Sequence, residues 1–119
     1  MAHIQVNVLR EGKDFKYSHD GDQPTATDNF RTEVHRNDQI TWRYWGSDQR
    51  VQISFKETSP FVAADGTSWL NETATFPTSP AIVHPKLDKG RLRKAIKYSV
   101  TLPDHPDKPT HDPEVIIVD

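Results

Sequence analysis

The densest set of side chains able to bind something lies towards the C-terminal end of the sequence. His105 and His111 sit among Asp104, Asp107 and Asp112 in the 104–112 segment. Imidazole nitrogens and carboxylate oxygens ligate divalent zinc, copper or nickel, and His19, His35 or His84 could join from elsewhere in the chain. The spacing His-x5-His matches no strong ligand motif. Pro103, Pro106, Pro109 and Pro113 interrupt the same segment, so a solvated loop whose aspartates form turns is the competing reading. The segment carries the alternative function for this chain: a small metal-binding protein, for zinc or copper, using His105, His111 and Asp107.

A second candidate is cationic. Lys86, Lys89, Arg91, Arg93, Lys94 and Lys97 follow one another closely, and strand alternation would align Arg91, Arg93 and Lys97 on one outward face. Such a row can steer an acidic partner, bind single-stranded nucleic acid with aromatic residues between the charges, or keep an exposed strand from pairing with other chains. The whole chain has a net charge of −2, so no global field draws it to nucleic acid or to an anionic membrane. The expected partner is a protein of acidic character, with neither nucleic acid nor membrane involved.

The third candidate is the cluster Trp42-Arg43-Tyr44-Trp45. On a strand, Trp42 and Tyr44 share one face and Arg43 and Trp45 the other. A single core buries one of these faces. If it takes Trp42 and Tyr44, the exposed pair is Trp and Arg, residue types enriched in interface hot spots. Trp69, in the irregular middle of the chain, would extend that patch. The competing reading leaves Trp45 in a second small cluster beneath the 56–85 segment. The expected partner-binding set is therefore Arg43, Trp45 and Trp69 as anchors, with Arg91, Arg93 and Lys97 steering. No catalytic set accompanies it. Ser18, His19 and Asp20 are contiguous, and neighbouring strand residues point apart, whereas triads assemble from distant segments. Five glycines form no phosphate-cradling loop, and no His-Glu-x-x-His occurs. The chain is not expected to be an enzyme, and no cofactor is expected.

The elements that must hold these residues are strands. At 119 residues without cysteine, the chain is read as one domain over residues 1–119, with a core that needs no disulfides. Disulfide scaffolds, zinc ribbons and thiolate copper sites are excluded with the sulfur they require. Hydrophobic residues make up only 34%, but three Trp, three Tyr and five Phe supply bulk. No window approaches the roughly 20 apolar residues of a membrane span. The N-terminus alternates as a strand rather than reading as an export signal, so a cytoplasmic setting is expected.

Period-two alternation dominates. It marks Ile4-Val6-Val8, Phe15-Tyr17, Phe30-Thr32-Val34, Ile40-Trp42-Tyr44 and Val51-Ile53-Phe55, the last two reading as a hairpin across Gly46-Ser47-Asp48. Between residues 58 and 85 only Thr73–Phe76 reads as a strand. Alternation returns from Arg91 to Leu102, with Leu92, Ile96, Tyr98, Val100 and Leu102 on one face. Val115 to Val118 is apolar on both faces and so central. Seven or eight short strands predict an all-β, two-sheet antiparallel sandwich or a small barrel.

The stretch Glu33-Val34-His35-Arg36-Asn37-Asp38-Gln39-Ile40-Thr41-Trp42 resembles the turn-then-strand passage of cupredoxins, whose strand has the form Val-Thr-Trp. Val51 to Phe55 resembles the cupredoxin strand that begins at the first copper histidine. Ile96 to Val100 and Asp112 to Val118 are similar to the last two strands of that family. The resemblance implies a Greek-key sandwich of the cupredoxin kind. It also implies where copper would sit, and there the chain departs from the family. Gln49, Arg50 and Val51 stand at the first histidine position, Val100 stands where the cysteine would be, and the sole methionine is Met1. Without a thiolate there is no blue-copper chemistry. The resemblance and the departures together imply a copper-less scaffold reused as a non-catalytic recognition module, such as an adaptor, inhibitor or regulatory subunit.

Overall fold

The structure is a computed structural model of the chain, and it describes residues 2–27, 30–64, 73–76 and 80–118. The described residues contain twelve strands, one 3-10 turn and no α-helix. Five alternating stretches of the first half become β1 (His3–Glu11), β2 (Asp14–His19), β3 (Arg31–His35), β4 (Gln39–Tyr44) and β5 (Val51–Ser54). The middle of the chain adds β6 (Phe61–Ala63), β7 (Ala74–Phe76) and β8 (Ala81–Val83). After the 3-10 turn Lys89–Arg91 come β9 (Ala95–Lys97), β10 (Ser99–Thr101), β11 (Thr110–His111) and β12 (Glu114–Val118). All-β construction in multiple sheets is compatible with a β-sandwich.

The strands form three sheets, ordered β2-β1-β4-β8-β6, β11-β10-β5-β7 and β3-β12-β9. Tyr98 alone separates β9 from β10, so the last two sheets meet in one bent segment. β12 is central in its sheet, as its two apolar faces require.

Three expectations are corrected. The strand count exceeds seven or eight because prolines and turns cut segments into short pieces and because the middle region pairs more than its sequence suggests. The sheets are not purely antiparallel. β1 runs parallel to β4 (Val6 beside Trp42) and β3 runs parallel to β12 (Val34 beside Ile117), since alternation reports which face is buried and carries no information on strand direction. Nor do β4 and β5 form a hairpin. β4 pairs with β1 and β8, while β5 pairs with β10 and β7. Each has a fully apolar face, and the two strands bury those faces in one core from different sheets.

The core follows the alternation in β3, β4 and β5, whereas β1 and β2 also bury Asn7 and Ser18 from the face opposite their apolar residues. Trp42 and Tyr44 are buried and Arg43 is exposed. Trp42 is 1% exposed, with ring centroids 5.2 Å from Phe76, 5.6 Å from Tyr98 and 6.0 Å from Phe61. Its indole N–H donates to the Tyr98 hydroxyl at 3.1 Å, which satisfies both buried polar groups. Asp38, also buried, closes the turn between β3 and β4, its carboxylate accepting from the main chain of His35 at 2.9 Å and Ala2 at 3.0 Å.

Trp42→Ala is expected to destabilise the fold by about 3–5 kcal/mol, read from urea unfolding. Trp45→Ala should cost much less, because Trp45 is half-buried and its structural hydrogen bond is made by its main-chain N–H to Val8. Equal losses for the two variants would contradict this placement of the core.

Candidate functional site

The basic strip does not form the single strand its alternation suggests. Asp88 caps the 3-10 turn, its side chain accepting from Gly90 N–H at 2.9 Å. Arg93 then takes a left-handed φ of 62° and donates its N–H to Ile117 O at 2.8 Å. Strand geometry begins only at Ala95. Arg91, Arg93 and Lys97 therefore do not line up along one sheet face.

The turn gathers the cations by another route. Arg91, Lys94 and Lys97 line one side of a cavity of about 410 Å³, and Phe55, Lys56 and Glu57 line the other. A second cavity of about 410 Å³ adjoins it, sharing Glu57 and Arg91 and adding His84, Lys86 and Asp88. Arg91 sits at the junction, where its guanidinium donates to Thr58 O at 2.6 Å. Together they make a cleft rimmed by Lys56, Lys86, Lys94 and Lys97, with Glu57 and Asp88 as its acids. Among the described residues none of these four lysines takes part in an ion pair. Arg93 is exposed and lines neither cavity. Lys56 was missed by sequence reasoning, since its membership depends on where β5 ends relative to β9.

Arg43 and Trp45 lie elsewhere, lining a shallow depression of about 510 Å³ with His3, Gln5, Asp20 and Gly21. Trp69 falls outside the described residues.

The 104–112 segment is held by ion pairs. Arg50 grips Asp104 with its main-chain N–H at 2.8 Å and its guanidinium at 2.7 and 3.0 Å. Arg10 makes a two-pronged pair with Asp107 at 2.7 and 2.8 Å. Hydrogen bonds from these arginines hold the Asp104 and Asp107 carboxyls below the usual carboxylate range. His105 packs edge-on against Tyr44 with Arg10 beside its Nδ1, whereas His111 meets the Tyr17 hydroxyl through Nδ1 at 2.7 Å. The structure thus engages His105, His111 and Asp107 with different partners. No group of three potential ligands close enough to hold a metal ion occurs among the described residues.

Ser18, His19 and Asp20 diverge as strand geometry demands. Ser18 Oγ accepts from Asn7 at 3.0 Å and donates to Asp22 O at 2.6 Å, while His19 Nε2 meets Thr32 Oγ1 at 2.9 Å. Neither is aimed at the other. No helix among the described residues is long and apolar enough to cross a membrane. Compared with protein-family models, with curated proteins and with solved structures, the chain matches none.

Burial against Phe30 lowers the His19 pKa below its ordinary 6.5, although Asp20 and Asp22 pull it upward. The unfolded chain then takes up a proton near pH 6.5 that the folded chain resists, so stability present above that pH is lost as the pH falls below it. Thermal unfolding at a series of pH values should show this acid-side loss, and His19→Gln should flatten it. A slope unchanged by the substitution would assign the loss to other groups.

Proposed function

We propose that this chain is a non-catalytic protein-recognition module that binds an acidic partner at the cationic cleft. The observation that carries the reading is the convergence of Lys56, Lys94, Lys97 and Arg91 on one cavity, with the three lysines making no ion pair among the described residues. Lysines used only for solubility spread over a surface, whereas here three of them line one concave site. The cleft walls lower the local dielectric and focus the field of these charges outward, which speeds the encounter with an anionic ligand. Arg43 and Trp45 provide a second contact surface of the hot-spot composition, suited to an adaptor, inhibitor or regulatory subunit that touches its partner at two places.

The scaffold in this reading is a cupredoxin-like Greek-key sandwich without its copper site. Support comes from the residues at the positions the resemblance assigns to metal. Arg50 is locked onto Asp104, and Val100 is a buried strand residue in place of a thiolate. A guanidinium–carboxylate pair and a valine do not fit a copper ion, and no step of the proposed function involves one.

Fluorescence anisotropy with a labelled glutamate-rich peptide, a lysine-rich peptide of equal length and a single-stranded oligonucleotide tests the reading. The acidic peptide alone should bind, weakening by about tenfold or more between about 50 and 500 mM NaCl as exposed charges are screened. Lys94→Glu with Lys97→Glu should abolish binding while the protein still melts cooperatively. Tighter binding of the oligonucleotide, or no binding of the acidic peptide at low salt, would overturn it.

A further inference from the structure

The cleft exists because a ladder stops early. β5 and β10 pair as Gln52 with Thr101, Ile53 with Val100 and Ser54 with Ser99, and there the pairing ends. The same register carried further would set Phe55 opposite Tyr98, Lys56 opposite Lys97 and Glu57 opposite Ile96. The aromatic pair does pack, with centroids 5.5 Å apart in the core. Beyond it two lysines would stand directly across from one another, an arrangement that like charges oppose. The segments part at this position, and the cavity lies between them.

The parting leaves a strand edge open. On its far side β9 pairs with β12, Ala95 with Ile116, Ile96 with Val115 and Lys97 with Glu114. The phase of that ladder follows from two hydrogen bonds. Tyr98 N–H donates to Pro113 O at 3.1 Å, and Glu114 N–H donates away from β9 to Phe30 O at 3.0 Å. Tyr98 and Ile96 therefore direct their main-chain groups at β12. By alternation Ala95 and Lys97 direct theirs into the cleft. Among the described residues β9 has no ladder partner on that side.

We infer that this edge is a slot for an added strand: an extended acidic segment of a partner protein pairs with the main chain of Ala95 and Lys97. Its carboxylates meet Lys56, Lys94 and Lys97. This rests on the reading of the cleft as an acid-recognition site and adds how the acid is presented. Strand addition supplies affinity through main-chain hydrogen bonds and specificity through alternate side chains. The alternation here is readable from the walls. Lys97 and Ala95 are exposed, while Ile96 is half-buried against the core, so the incoming segment should alternate acidic with apolar residues.

Charge complementarity selects this occupant over a second copy of the chain. Two β9 edges brought together would confront Lys94 and Lys97 with their own equivalents, the device by which edge strands avoid self-pairing. An acidic strand turns that repulsion into attraction. Nucleic acid satisfies the charges but offers no peptide ladder for Ala95 and Lys97.

The test uses the full chain, 15N-labelled, with the blocked peptide Ac-Glu-Val-Glu-Val-Glu-NH2. Binding should slow amide exchange at Ala95 and Lys97 by about tenfold or more, and leave Ile96, already bonded to β12, unchanged. A peptide of the same charge with its main-chain nitrogens N-methylated should bind about tenfold more weakly, since it lacks the ladder donors. Lys56→Glu should let the cleft close, slowing exchange at Ala95 and Lys97 without peptide and weakening peptide binding. If the peptide binds but Ala95 and Lys97 stay unprotected and the methylated analogue binds equally well, strand addition is wrong and acid recognition survives. Failure of any acidic peptide to bind at low salt overturns both.

Discussion

The contact on which most of the structure depends is the buried indole of Trp42. Strands β4 and β6 belong to one sheet and β7 to another, while Tyr98 lies at the bend between β9 and β10. The Trp42 ring meets a side chain from each of the other places, Phe61, Phe76 and Tyr98. Short strands such as β6 and β7 would contribute little by themselves, because a three-residue ladder makes few hydrogen bonds and fixes many torsions. Packed on one large aromatic surface, they become parts of a single core. The hydrogen bond from the indole to the Tyr98 hydroxyl adds direction to this packing, since a buried donor and acceptor that must find each other restrict how the rings can be arranged.

The position of Tyr98 also governs the cleft. Its ring is held inward by Trp42 and Phe55, and its main-chain N–H is held by Pro113. The chain consequently changes sheets at this residue, with β10 serving β5 and β9 serving β12. The gap between β9 and the 55–57 segment follows from that change of allegiance, and a continued ladder would have set Lys56 against Lys97, which like charges oppose. A cationic cleft is thus produced where a packing decision in the core and like charges at the surface act on the same few residues.

Elsewhere the 102–109 connection between β10 and β11 is held by Arg10 of β1 and by Arg50, the residue just before β5. Arg10 and Arg50 each take an aspartate in a two-pronged grip. These pairs fix the geometry of an exposed loop whose prolines already limit its freedom. Asp104 and Asp107 thereby act as structural anchors, and the imidazoles of His105 and His111 settle against tyrosines.

Much of the fold was legible in the sequence. Alternation identified β1 to β5 and the apolar face of each, put Trp42 and Tyr44 in the core with Arg43 outside, and made β12 central, but it did not mark the burial of Asn7 and Ser18 on the opposite faces of β1 and β2. These are local facts, because side chains on a strand point alternately to either side whatever the strand pairs with. The parallel pairings of β1 with β4 and β3 with β12, the separation of β4 from β5, and the conversion of the basic strip into a capped turn plus a short strand were not legible. Nor was the cleft, although the sequence marked Arg91 and Lys97, because Lys56 joins them only through the register of β5 against β10. Residue types and their two-residue rhythm determine which atoms must leave water. Which strands then become neighbours depends on long-range contacts among many near-equivalent apolar faces, and that choice is made only when the whole core packs.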